Sequence, residues 1–111
     1  MNVHQFNEII EARIAETKKL LIEKAKEYAS DGDRLHNFKR GAEISGLHPL
    51  LCWLGYTTKH LTSVIDLIHD VAEGKDSKKV EVWREKVGDC IVYFHLLEAL
   101  LVEHATDKKL G

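Results

Sequence analysis

One proline and seven glycines in 111 residues leave this chain short of the turn residues that an all-β fold needs at close intervals. No uninterrupted apolar run approaches the ~18 residues of a transmembrane helix. The opening Met1-Asn2-Val3-His4-Gln5 is too polar for a secretory signal. These absences predict a cytoplasmic protein with no membrane partner. Cysteine is scarce too: Cys52 and Cys90 each lie inside an apolar run, where they read as small core residues and not as a disulfide framework. Neither charge dominates. Sixteen basic and 18 acidic residues give a formal charge of −2, which disfavours nucleic acid as a partner. The sharp catalytic signatures are missing: no G-x-x-x-x-G-K-[ST], G-x-G-x-x-G, G-x-S-x-G, C-x-x-C or H-E-x-x-H occurs. Thiol catalysis has poor candidates, because a cysteine in an apolar stripe is normally inert.

What is present is helical periodicity. Hydrophobic residues at 44% and charged residues at 31% suit one ordinary globular domain spanning 1–111. Val3, Phe6, Ile10, Ile14, Thr17, Leu21, Ala25 and Tyr28 recur at three- and four-residue steps and predict a helix over 3–29. Asn2 and Gln5 are spaced as a capping box. The polar cluster Ser30-Asp31-Gly32-Asp33 ends that helix. A short helix follows over 35–45, closed by Gly46. A long one runs over 49–73, with Pro49 in its first turn and Gly74 after its end. A last long one runs over 77–104, capped by Ser77, with a frayed tail over 107–111. The expected fold is all-α, a helical bundle of three long helices plus one short helix.

The last helix is apolar on two sides. Trp83, Val87, Cys90, Ile91, Phe94, Leu97 and Leu101 form one stripe, and Val92, Tyr93, Leu96, Ala99 and Leu100 form another. A helix apolar all round is buried all round. A chain this short cannot easily surround it, so the second stripe is expected to meet another subunit in a homo-oligomer, a dimer or tetramer. A central helix in an imperfect bundle fits the same pattern.

Three polar groupings could carry chemistry. Glu85 and Asp89, four apart, place two carboxylates on one side of the last helix, suited to Mg²⁺, which takes one or two carboxylates plus phosphates and water. Gly88 between them permits close approach of another backbone or a ligand. Asp66 and Asp70 repeat the spacing one helix earlier, and facing helices with such pairs can build a carboxylate metal site. Both pairs also fit solvated acidic faces. His60 sits at the edge of an apolar stripe, as either a boundary residue or a ligand contact. The third grouping surrounds the turn after the first helix. Lys24 near the apolar stripe, with Arg34, Asn37 and Lys39 beyond the turn, assembles donors suited to phosphate. A polar interhelical loop has the same composition. Asp31 and Asp33 imitate a calcium loop, but His36 stands where that loop needs glycine and Ala42 where it needs glutamate.

The run Glu85-Lys86-Val87-Gly88-Asp89-Cys90-Ile91-Val92-Tyr93-Phe94 resembles the acidic helix of MazG-like, all-α nucleoside triphosphate pyrophosphohydrolases. Lys24, Glu27 and Tyr28 before a polar turn and Asn37-Phe38, then Lys59-His60 and a Ser/Asp helix, are similar to helical domains associated with nucleotide modification in phage genomes. The resemblance spans about residues 15–103 and implies a single MazG-like domain that cleaves a (d)NTP to monophosphate and pyrophosphate. It implies Glu85 and Asp89 as catalytic carboxylates, with Glu27, Asp66 and Asp70 joining them around Mg²⁺ or Mn²⁺. Lys24, Arg34, Lys39 and Lys59 become phosphate contacts, Asn37 and His60 further substrate contacts, and Tyr28 or Tyr93 contacts to base or sugar. The chain departs from the pattern at Lys86, where the family has an acid, and at Asp66/Asp70, where it has an E-x-x-E pair. A relative with those changes could bind a nucleotide without hydrolysing it, as a phage accessory protein that sequesters a nucleotide signal or binds a host protein. A plain helical oligomerisation module is the third reading.

Overall fold

The computed structural model describes residues 1–23 and 32–110. Helix dominates, and no strand occurs among the described residues. No helix among them is long and apolar enough to cross a membrane. The chain divides into two compact units, Met1–Arg34 and Leu35–Gly111.

The first unit is built on α1 (Val3–Lys18), which opens with the expected capping box. The Asn2 side chain accepts from the Gln5 amide at 2.8 Å, and the Gln5 side chain accepts from the Asn2 amide at 2.9 Å. Two of the amides left over at a helix start are satisfied this way. The helix does not continue to residue 29 as an α-helix, because Lys19–Glu23 widens into a π-helical turn. Residues 24–29 of the predicted helix lie outside the described residues.

The second unit holds α2 (His36–Ser45), α3 (Pro49–Ala72) and α4 (Val80–Leu110). Gly46 ends α2 at φ 75°, the left-handed conformation in which glycine carries no Cβ penalty. Two residues on, the His48 imidazole caps α3 by accepting from the Leu50 amide at 3.1 Å, with Pro49 in the first turn. Gly74 follows α3 at φ 71°, as its position predicts. The start of α4 differs from expectation. Ser77 is not its cap: α4 begins at Val80, with the Lys79 carbonyl accepting from the Val82 and Trp83 amides, and the Asp76 carboxylate accepts from the Lys78 amide and the Trp83 indole. The other end reaches Leu110, so the tail is helical where fraying is expected.

The core lies where α2, α3 and α4 meet. Leu35, Phe38, Trp53 and Leu100 are buried together, with Leu50, Tyr93, Leu96 and Leu97 packed against them. Trp53 pins α3 to α4: its indole donates to the Tyr93 carbonyl at 2.6 Å, and its ring meets Phe94 edge-on at 5.6 Å. The carbonyl can take this donor because its oxygen has two lone pairs. α2 approaches α3 through Gly41, where a Cβ would stand 2.6 Å from the Tyr56 hydroxyl. The two apolar stripes of α4 therefore have roles other than those their composition suggests. Tyr93, Leu96 and Leu100, from the second stripe, face the core together with Leu97 from the first, whereas Val87, Phe94 and Leu101, also from the first, are exposed.

Candidate functional site

α3 and α4 run antiparallel, as their cross-links show. Trp53 meets Tyr93, His60 meets Asp89 and Ser63 meets Lys86. The last two pairings form a polar seam beside the Trp53 core. His60 Nδ1 stands 3.7 Å from an Asp89 carboxylate oxygen. The imidazole also lies against the Tyr93 ring, with centroids 4.8 Å apart and planes 32° from parallel. The Lys86 ammonium donates to the Ser63 hydroxyl. Helical spacing explains the grouping: His60 and Ser63 are three apart on α3, and Lys86, Asp89 and Tyr93 step by three and four along α4, so each set shares a face.

The electrostatics of this seam act on its neutral acids. Burial, with the adjacent Asp89 charge and Tyr56 behind it, holds the Tyr93 phenol above its ordinary pKa of 10.0. The phenol is therefore a protonated donor throughout the neutral range. The Cys90 thiol is raised above 9.0 by burial and by Asp89, which keeps it from acting as a nucleophile. Cys52 is buried, with its sulfur 3.7 Å from the Ser45 hydroxyl.

His60, Asp89 and Tyr93 are thus brought together. Lys59 is exposed, and it is turned about 100° around α3 from His60, away from the same face. Asp66 and Glu85 are exposed and Asp70 is half-buried. Among the described residues, no group of three or more His, Cys, Asp or Glu side chains converges on a point that could hold a metal ion. Gly88 is buried. Glu27, Lys24 and Tyr28 lie outside the described residues, and Arg34 belongs to the first unit. Asn37 is exposed in the first turn of α2.

Lys39 is placed elsewhere. Its ammonium pairs with Glu103 at 2.6 Å, fourteen residues and about 21 Å along α4 from Asp89. The pair borders a cleft of about 200 Å³ lined also by His48 and His104, whose rings meet edge-on at 5.3 Å. Drug-sized and cofactor ligands occupy sites of roughly 300–1,000 Å³, so this cleft is too small for a nucleotide.

Lys86 and Ser63 belong to the seam, and neither stands among the residues the sequence nominates for it. The signal was available for Lys86, which lies three residues before Asp89 on the same side of the helix. The chain matches no family model, and no curated protein or solved structure is similar to it.

Proposed function

We propose that this chain is a MazG-like, nucleotide-handling protein in which the seam between α3 and α4 receives the phosphates of a nucleoside or deoxynucleoside triphosphate. The observation that supports this reading is the meeting of His60, Asp89 and Tyr93 across two helices, beside the Lys86–Ser63 pair. His60 stands beside the Asp89 carboxylate, and Lys86 supplies a cation for phosphate. Tyr93 offers a ring face and a neutral hydroxyl donor to base or sugar.

If the protein is a pyrophosphohydrolase, water attacks the α-phosphate and pyrophosphate leaves. Mg²⁺ or Mn²⁺, when bound, would neutralise phosphate charge and lower the pKa of that water. A hard cation needs only one or two carboxylates when phosphates complete its shell, so Glu85 and Asp89 fit it in donor number.

A second reading, binding without hydrolysis, is favoured by Lys86. The resemblance calls for an acid at this position. A cation bonded to Ser63 suits a phosphate better than it suits a second metal ion. One assay separates the two. The protein is incubated with the common NTPs and dNTPs and with Mg²⁺ or Mn²⁺, and monophosphate and pyrophosphate are measured. Turnover that disappears in Asp89→Asn, with helicity retained, supports hydrolysis. Nucleotide binding without turnover, weakened in Lys86→Gln, supports sequestration. Absence of both turnover and binding overturns the proposal.

A further inference from the structure

The cleft beside Lys39 lies where the corner between α2 and α3 meets the far end of α4. The corner is tied to α2 by bonds that a mild change of pH does not break. The Ser45 hydroxyl donates to the Gly41 carbonyl at 2.7 Å and accepts from the Leu47 amide at 3.2 Å, and the Gly46 amide donates to the Ala42 carbonyl at 2.9 Å. Its tie to α3 is of another kind. The side chain that caps α3 is an imidazole, whose Nδ1 accepts from the Leu50 amide at 3.1 Å. The usual capping side chains, Ser, Thr, Asp and Asn, accept at neutral and mildly acid pH alike. An imidazole accepts only through an unprotonated nitrogen, so this bond fixes His48 as the neutral tautomer with its proton on Nε2. Protonation puts an N–H on Nδ1, facing the Leu50 N–H. It also sets a positive charge on the positive end of a 24-residue helix.

The same ring stands against α4, meeting the His104 ring edge-on at 5.3 Å. The charged groups around the two rings are Lys39 on α2 and Glu103 and Asp107 on α4, with Lys39 paired to Glu103 at 2.6 Å. While both rings are neutral, one ammonium faces two carboxylates. When both are protonated, three cations face them, two of them imidazoliums in contact, which repel. Leu50 and Leu100 line the same cleft. Leu100 is a core residue and Leu50 packs against the core. His4 and His60 respond in the opposite sense. They stand 3.0 Å from Glu8 and 3.7 Å from Asp89, and protonation strengthens both pairs.

We infer that His48 and His104 form a pH-sensitive latch. Neutral, they hold the α2–α3 corner against α4 and cap α3. Protonated, they release the corner, fray the first turn of α3 and open the cleft over Leu50 and Leu100. Histidine is the side chain whose ordinary protonation falls between about pH 5 and 8, so the latch answers to mild acidification. It is independent of the nucleotide reading, because Glu103 in the cleft stands about 21 Å along α4 from Asp89.

The test follows the full-length protein by NMR from about pH 7.5 to about pH 5.5, with circular dichroism as the control for folding. At the upper pH the His48 proton should sit on Nε2, and cross-peaks should connect the His48 and His104 rings. On acidification those cross-peaks should disappear. The Leu50 amide should exchange roughly fivefold faster than its intrinsic pH dependence accounts for, as expected from the loss of an ordinary capping bond. His48→Asn supplies an acceptor that does not titrate, so its Leu50 protection should be the same at both pH values. Should that variant fail to fold, His48→Asp replaces it. A Leu50 amide indifferent to the His48 titration overturns the inference. So does an equal response in His48→Asn, a ring contact that persists at the lower pH, or loss of the whole helical signal over the same range.

Discussion

Thr57 is fully buried, and its hydroxyl finds no partner among the described residues. Its neighbour Thr58 sends its own hydroxyl to the Leu54 carbonyl at 2.7 Å. A buried hydroxyl without a bond costs about 1–3 kcal/mol. Thr57→Val keeps the shape and removes the polar atom, so thermal unfolding should show it more stable by about 1 kcal/mol. Cys90 and Tyr93 make a second expectation. Both have folded pKa values raised above their ordinary ones. Their contribution to stability is therefore complete below pH 9 and is lost as pH rises through the raised values, since the unfolded chain releases these protons first. Urea titrations should show stability falling above pH 9, and Cys90 should react with a thiol reagent at pH 8 more slowly than it does in the unfolded chain. At this scale the sequence is informative about residue type and spacing. His60, Asp89 and Tyr93 are legible because each stands out from its own helix. The Lys86–Ser63 bond is not, since it depends on which sides of two helices meet.

Helix ends are legible because their chemistry is local. Asn2 with Gln5, Pro49, Gly46 and Gly74 each do what their positions predict, through bonds or backbone angles set within a few residues. The start of α4 is misread at Ser77 because Asp76 is engaged by Trp83, seven residues after it. The π-turn at Lys19–Glu23 has no sequence signal we can identify. The two stripes of α4 are misassigned for a different reason. Both are apolar enough to face a core, and which side chains do so depends on how α2 and α3 pack against α4, which spacing along α4 alone does not give. The approach of α2 to α3 depends on Gly41 in the same nonlocal way. Gly41→Leu places a Cβ 2.6 Å from the Tyr56 hydroxyl position and should push that ring off its contact with Phe38. Overpacking of this kind typically costs about 1–3 kcal/mol, to be read as a lower denaturation midpoint.

At the scale of the whole molecule, the all-α class follows from periodicity and from the shortage of turn residues, and it holds throughout the described residues. The candidate site is legible only in part. Its nominated residues include Lys39, which is held by Glu103 far along α4, and Glu27, Lys24 and Tyr28, which lie outside the described residues. What one hairpin brings together is a seam of Ser63, His60, Lys86, Asp89 and Tyr93. The central claim is that this seam binds nucleotide phosphate, and calorimetric titration of wild type and Lys86→Gln with NTPs and dNTPs tests it most directly. A charge-assisted bond contributes about 1.5–3 kcal/mol. Wild type should therefore bind at least one nucleotide, and Lys86→Gln should bind it roughly ten- to a hundredfold more weakly with the same helicity. Equal affinity in the two proteins, or no nucleotide bound by wild type, would contradict the claim.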